Sequence, residues 1–273
     1  MTLNCNGKIL DFSSKKIMGI VNISDNSFYD GGRYNTIDRV NSHVDNLISS
    51  GADIIDIGAF SSKPGSKLIP GDEEINLISK FIIELSSNFK NTLFSIDTYN
   101  SNVAEFALSK GFSIINDISS GKYDSNMYNV IKDYNSGYIM MHMQGDPQNM
   151  QKNPKYKNVV ESIKSFFKVK IKELENYNFS NVIIDPGFGF GKTIEHNYEI
   201  LKELRSFKTL NKPILVGLSR KSMIFKVLET DPSKALNGTT VLNTIAFENG
   251  ANIIRVHDVA EACECKKLLE KLN

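Results

Sequence analysis

Tryptophan is absent from the 273 residues, cysteine occurs three times and proline seven times. The cysteines, at positions 5, 263 and 265, form no CxxC pair, which excludes a disulfide framework and a zinc site of ordinary ligand spacing. Cys263 and Cys265 are two apart on a candidate helix and face different sides, so thiols in a reducing cytosol are expected. No stretch rich in proline and serine divides the chain, and residues 1–273 read as one domain. Lys and Arg total 32 against 31 Asp and Glu, a net +1 that supplies no global field for nucleic acid or an acidic membrane. An anionic ligand therefore needs a local constellation. Apolar runs such as residues 17–21 are strand-length, well short of the ~20 residues of a membrane helix. The opening MTLNCNGKILDFSSKK has neither an apolar core nor an Arg/Ser-rich amphipathic pattern, so no export or transit segment is expected. HExxH and G-x-S-x-G are also missing, which argues against a protein-caged metal and a serine nucleophile.

What is present is alternation. Short apolar segments at 17–22, 53–57, 93–97, 113–116, 138–142, 182–185, 213–217 and 252–256 suit strands buried on both faces. Helical patterns follow them at 39–50, 73–89, 102–110, 125–134, 159–176, 196–207, 221–228 with 238–249, and 260–272. Gly51, Gly111, Gly137 and Gly250 stand where a helix stops before the next strand. Asn6-Gly7 between two alternating segments predicts a small hairpin. The expectation is an α/β chain, a (β/α)8 TIM barrel with a short N-terminal β-hairpin. An open doubly wound sheet shares this pattern, because strand order cannot be read from one sequence.

Nearly every candidate strand ends in polar or glycine-rich residues: Asn22, Gly58, Asp97, Asn116, His142, Asp185, Gly217 and the Arg255–His257 pair. In a barrel these ends converge on one mouth, where active sites are built. An Asp at a strand end is otherwise an N-cap for the next helix. Asp97, Asn116 and Asp185 together nevertheless suit an amino-pyrimidinone edge, whose adjacent donors and acceptors match carboxylate and amide groups.

The run Asp185-Pro-Gly-Phe-Gly-Phe-Gly-Lys-Thr193 imitates a phosphate loop but has only three residues between Gly187 and Gly191 where four are required. It is read instead as a compact, mobile loop beside the ring. Ser219-Arg-Lys-Ser222 opens a helix whose free N–H groups suit an anion or a ring carbonyl. Arg255 and His257 point to one side of an extended segment and, with Asn22, suit a diphosphate. His142 either lines the mouth or bonds a loop, and His43 and His196 are read as structural or exposed.

The stretches MGIVNISDNSFYDGGRY, GADIIDIGAFSSKPGS, SIDTYNSNVAEFALSKG, IINDIS, MHMQGDPQNMQ, IIDPGFGFGKTIEHN, PILVGLSRKSMI and NIIRVHDV together resemble the dihydropteroate synthase family. They come in that family's order and span almost the whole chain. The resemblance implies a cytoplasmic, homodimeric (β/α)8 enzyme of folate biosynthesis that uses Mg2+. Its substrates would be 6-hydroxymethyl-7,8-dihydropterin diphosphate and p-aminobenzoate, its products 7,8-dihydropteroate and pyrophosphate. It implies pterin contacts at Asp97, Asn116, Met140, Asp185, Phe190, Gly217 and Lys221. Diphosphate contacts are implied at Asn22, Ser62, Lys63, Arg255 and His257, with Asn22 also on the metal. Phe28, Pro64 and Ser222 are implied around p-aminobenzoate, and with them sensitivity to sulfonamides. Asp97, Asp185, Lys221, Arg255 and His257 form the expected catalytic group.

Two loops depart from the family pattern. After the first barrel strand, Asp25 and Asn26 stand where proline and an acid are usual. After the second, Phe60 replaces an acid and Lys63 an arginine, whose bidentate fork lysine lacks. Rival functions are a pterin-binding methyltransferase serving a corrinoid, and a pterin-binding regulatory paralogue without turnover. Pyrophosphate release separates both from a synthase.

Overall fold

Eight parallel strands form one sheet, bent into a barrel in the computed structural model, which describes residues 1–23, 36–59 and 68–272. An antiparallel hairpin of β1 (Thr2–Cys5) and β2 (Lys8–Asp11) precedes it. The barrel strands are β3 (Lys16–Asn22), β4 (Ile54–Gly58), β5 (Leu93–Asp97), β6 (Ile114–Asp117), β7 (Gly137–Met141), β8 (Val182–Asp185), β9 (Leu215–Val216) and β10 (Ile253–Val256). Their order, β8-β7-β6-β5-β4-β3-β10-β9, follows the chain around the ring. A parallel bridge between Ile184 and Ile214 closes it, which removes the open-sheet alternative.

Outside the ring lie α1 (Thr36–Ser49), α2 (Gly71–Asn88), α3 (Ser101–Ser109), α4 (Met127–Asp133), α5 (Val159–Glu175), α6 (Ile194–Lys202), α7 (Ser222–Phe225), α8 (Leu236–Glu248) and α9 (Val259–Leu269). The predicted helix over 196–207 is split, with α6 followed by a 3-10 segment at Leu204–Leu210 that stops at left-handed Asn211 (φ 51°). That over 221–228 shrinks to the four residues of α7, and Glu229 turns left-handed beyond it (φ 50°). No helix among the described residues is long and apolar enough to cross a membrane.

The strand sequences are dominated by Ile and Val because both faces are covered. Side chains alternate across each strand. Ile17, Ile55, Ile115, Tyr138, Met140, Ile184, Val216 and Ile254 face outward into the core shared with the helices. Met18, Ile54, Ile114, Ile139, Ile183, Leu215 and Ile253 face inward and meet Leu3, Cys5 and Leu10 of the hairpin. The hairpin is thus the floor of the barrel. Asn6 and Gly7 both take positive φ (51° and 82°), as the primed two-residue turn requires. Asn6 Nδ2 ties the turn to Leu108 O (3.1 Å) and Phe112 O (2.8 Å), and Lys8 Nζ bonds Thr92 O (2.7 Å).

Gly51, Gly111 and Gly250 terminate helices with φ near 100° as expected, but Gly137 does not. The left-handed stop there is Asn135 (φ 47°), and Gly137 is the first residue of β7. A Cβ on Gly137 would lie 2.8 Å from Cys5 Sγ, so the glycine makes room for the floor.

Candidate active site

One step of two residues beyond the floor layer, the inward positions change chemistry. Ile54 is followed by Asp56, Ile114 by Asn116, Ile183 by Asp185, Leu215 by Gly217 and Ile253 by Arg255. Asp97 ends β5 in register with Asn116, and Asp185 ends β8 in register with Met141. Asp97, Asn116, Asp185, Phe190, Gly217, Lys221, Arg255 and His257 line a single cavity at the strand ends, with Ile20, Ile118, Met141 and Ser219. The structure therefore brings together eight of the sequence-predicted residues.

Met140 is not among them. It points outward and is fully buried in the helix-side core, while its neighbour Met141 occupies the cavity wall. Alternation decides this, since Met141 shares the inward parity of Ile139. Asn22, at the end of β3, and Ser222, the first residue of α7, are half-buried and outside the lining of this cavity. Phe28, Ser62, Lys63 and Pro64 lie outside the described residues.

Sequence reasoning misses Asp56, which is fully buried. Its Oδ2 accepts from Arg255 Nε (2.6 Å) and from Asn116 Nδ2 (2.9 Å). Arg255 Nη2 donates to Asp97 Oδ2 (2.8 Å), so one guanidinium bridges two carboxylates. Burial works against the Arg255 charge, and Asp56 and Asp97 outweigh it, raising its pKa. Burial raises Asp97 above the ordinary carboxylate range, opposed by Arg255 and supported by Asp56. Asp185 is raised by burial too, against the pull of Lys221 and a hydrogen bond from Gly187 N to its Oδ1 (2.8 Å). Burial lowers Lys221 to about 8, although Asp185 favours its charge. The Lys221 ammonium bonds Phe188 O (2.7 Å) and lies 4.9 Å from the centre of the Phe190 ring. Ser219 Oγ lies 3.0 Å from His257 Nδ1, which positions that imidazole at the cavity. Arg220 is engaged elsewhere, donating to both oxygens of Asp258 (2.9 and 2.8 Å) and to the carbonyls of Pro232 and Ser233.

The loop after β8, expected to be compact and mobile, is compact and tethered. Gly187, Gly189 and Gly191 all take positive φ, and a Cβ on Gly187 would fall 2.0 Å from His142 O. Buried Lys192 bonds Gly187 O (2.8 Å), Phe190 O (2.9 Å), His142 O (3.1 Å) and His142 Nδ1 (3.1 Å). Burial drives His142 down to about 3 and Lys192 down to about 7. A neutral imidazole nitrogen can accept a hydrogen bond from the lysine, so the His142 contact is a loop tie. His196 closes a capping box with Thr193, which makes it structural. The signal for Lys192 lies in the pattern that imitates a phosphate loop: a lysine following three glycines has carbonyls to gather.

A sequence-family model described as "pterin binding enzyme" matches residues 18–257. The chain belongs to the pterin-binding enzyme family. Among its curated relatives is the dihydropteroate synthase of Escherichia coli K12, 37% identical over 272 residues that cover 99% of this chain and 96% of the relative. Among solved structures, the Yersinia pestis dihydropteroate synthase with a sulfonamide drug superposes with a TM-score of 0.92 at 35% identity, covering 100% of this chain and 98% of that one. The Xanthomonas albilineans dihydropteroate synthase in complex with 7,8-dihydropteroate superposes with a TM-score of 0.88 at 29% identity, covering 100% and 98%.

Proposed function

We infer that the chain is a dihydropteroate synthase, which joins 6-hydroxymethyl-7,8-dihydropterin diphosphate to p-aminobenzoate and releases pyrophosphate. The observation that carries this reading is one cavity holding both a ring-recognition set and an anion-holding set. Asp97, Asn116, Asp185 and Lys221 supply acceptors and a donor for the amino-pyrimidinone edge. Phe190 and Met141 supply apolar wall, and Arg255, His257 and Ser219 supply charge and donors for the diphosphate.

The reaction breaks the bond between the exocyclic methylene and the diphosphate oxygen, and the electron pair leaves with pyrophosphate. The carboxylates of Asp97 and Asp185 stabilise the cationic character left on the pterin methylene. The arylamine nitrogen then forms the new C–N bond and gives up a proton. With Nε and Nη2 engaged by Asp56 and Asp97, Arg255 serves the leaving group through its charge and its Nη1 edge. His257 and Asn22 are assigned to the same diphosphate, with Ser62 and Lys63, which follow β4 in the sequence. Ser222, Phe28 and Pro64 are assigned to the p-aminobenzoate side.

Among the described residues no group of three or more His, Cys, Asp or Glu is placed to hold a metal. A lone amide oxygen from Asn22 suits an Mg2+ carried mainly by phosphate oxygens and water. Bound there, Mg2+ would supply further positive charge to the departing diphosphate. A homodimer is supported by exposed Val227, Leu228, Val241, Ile245 and Leu268, which cluster on and around α7, α8 and α9. A cytoplasmic location is supported by three free, buried thiols.

A coupled assay of pyrophosphate release on mixing both substrates tests the function. Release that requires p-aminobenzoate and is suppressed by a competing sulfonamide is expected. Pterin diphosphate binding without pyrophosphate release would overturn the reading.

A further inference from the structure

Of Asp97, Asn116, Asp185 and Lys221, Asn116 alone both accepts and donates when the other three carry their charges. Ionised Asp97 and Asp185 only accept and protonated Lys221 only donates, but a primary amide accepts at one end and donates at the other. Which end meets the ring is decided by what holds the other end. Asn116 Nδ2 donates to Asp56 Oδ2 at 2.9 Å, in a pair where both residues are buried. The opposite orientation would set an amide oxygen against a carboxylate oxygen at that distance, with no proton between them. Asp56 cannot rotate away easily, because the same Oδ2 is held by Arg255 Nε. Its second oxygen is buried without a hydrogen-bond partner among the described residues, so Oδ2 alone determines the arrangement.

We propose that Asp56 is a positioning residue for ring specificity: it holds the Asn116 amide with its carbonyl oxygen toward the cavity. The wall formed by Asn116, Asp97 and Asp185 then consists of acceptors, with Lys221 the single ammonium donor among these four. Such a wall selects a ring that presents N–H groups along one edge, as a 2-amino-4-oxo tautomer does. A ring presenting bare nitrogens there leaves buried acceptors facing acceptors. The inference rests on the pterin reading and adds a residue that need not touch the substrate.

The test compares binding of 6-hydroxymethyl-7,8-dihydropterin diphosphate and its analogue lacking the 2-amino group, measured by calorimetry on the wild-type chain and on Asp56→Ala. Asparagine at 56 would not serve, because Arg255 Nε would still select an oxygen at the position that Asn116 Nδ2 faces. Alanine removes that acceptor, so the Asn116 amide loses its preferred orientation. The wild type is expected to favour the amino ring strongly, and Asp56→Ala to lose about tenfold or more of that preference. The affinity for inorganic pyrophosphate should fall less. In Asp56→Ala/Asn116→Asp the carboxylate presents an acceptor to the cavity whichever way it turns. The double variant should recover preference lost in Asp56→Ala, an outcome that a purely structural role for Asp56 does not produce. A folded Asp56→Ala variant with wild-type preference, or a double variant no better than Asp56→Ala, overturns the inference while leaving the function standing. A wild-type chain that binds neither ring overturns the function and the inference together.

Discussion

The floor and the mouth of the barrel are built from the same strands, two residues apart, yet they obey opposite rules. At the floor, Met18, Ile54, Ile114, Ile139, Ile183, Leu215 and Ile253 close on the hairpin as a dry apolar plug. At the mouth, Asp56, Asn116, Asp185 and Arg255 take the same inward direction and are also largely buried. The spacing between the layers is only about 6.6 Å along each strand. Floor residues contribute by removing apolar area from water, which is non-directional. Mouth residues cost desolvation that only directional partners offset, and Asp56 Oδ1 remains without one among the described residues. Apolar burial is thus concentrated at one end of the strands, and directional polar contacts at the other.

Replacement of Arg255 by methionine should show this division most strongly. It leaves Asp56 and Asp97 buried without their shared cation, so a loss of about 3–5 kcal/mol is expected in denaturant unfolding at neutral pH. Activity should vanish with it. Unchanged stability would mean that the mouth carries no such electrostatic load.

A pH profile of kcat/KM for the pterin diphosphate reads the mouth alone. Lys221 carries its positive charge only when protonated, and its pKa is lowered to about 8, so activity should fall as pH rises through that value. Asp97 and Asp185 carry the negative charge assigned to them only when ionised, and burial raises both, so the acid limb should lie above the ordinary carboxylate pKa of about 4. In Lys221→Arg the alkaline fall should disappear, whatever the absolute rate. An alkaline limb that persists there would assign it to another group.

Gly137→Ala probes the floor, with the smallest effect. The new methyl meets Cys5 Sγ at 2.8 Å and Ile114 Cγ1 at 3.1 Å. A cost of about 1–3 kcal/mol is expected, with kcat/KM unchanged. Adding Cys5→Ala should relieve part of it, as a double-mutant cycle of thermal unfolding would show. Additive losses would separate the hairpin from the floor.

The contrast between layers also explains which features can be read from the sequence. Strand positions are visible because runs buried on both faces stay apolar for their whole length, and the barrel follows from their number. The residues that end strands are visible because they interrupt those runs, and Asp97, Asn116, Asp185 and Arg255 do meet in one cavity. Met140 and Met141 are alike in composition and separated only by parity within the strand, which the family resemblance does not resolve. Asp56 lies inside an apolar run, Ile54-Ile55-Asp56-Ile57, where its charge makes it conspicuous. Its partners are 60 and 199 residues away, beyond the reach of local pattern. Gly137 resembles a helix stop in the sequence because its real constraint comes from Cys5, across the molecule.

The ring also has one short stave. Strand β9 contributes only Leu215–Val216, and a single bridge links its edge to β8. Opening fluctuations follow the places with fewest ladder bonds, so this seam should exchange its amide protons before the other strands do. The staves on either side of it carry Asp185 and, just beyond Gly217, Lys221. Breathing at the seam would therefore part Asp185 from Lys221 while the opposite side of the ring stays shut, so that the barrel would open less like a cup than like a clasp.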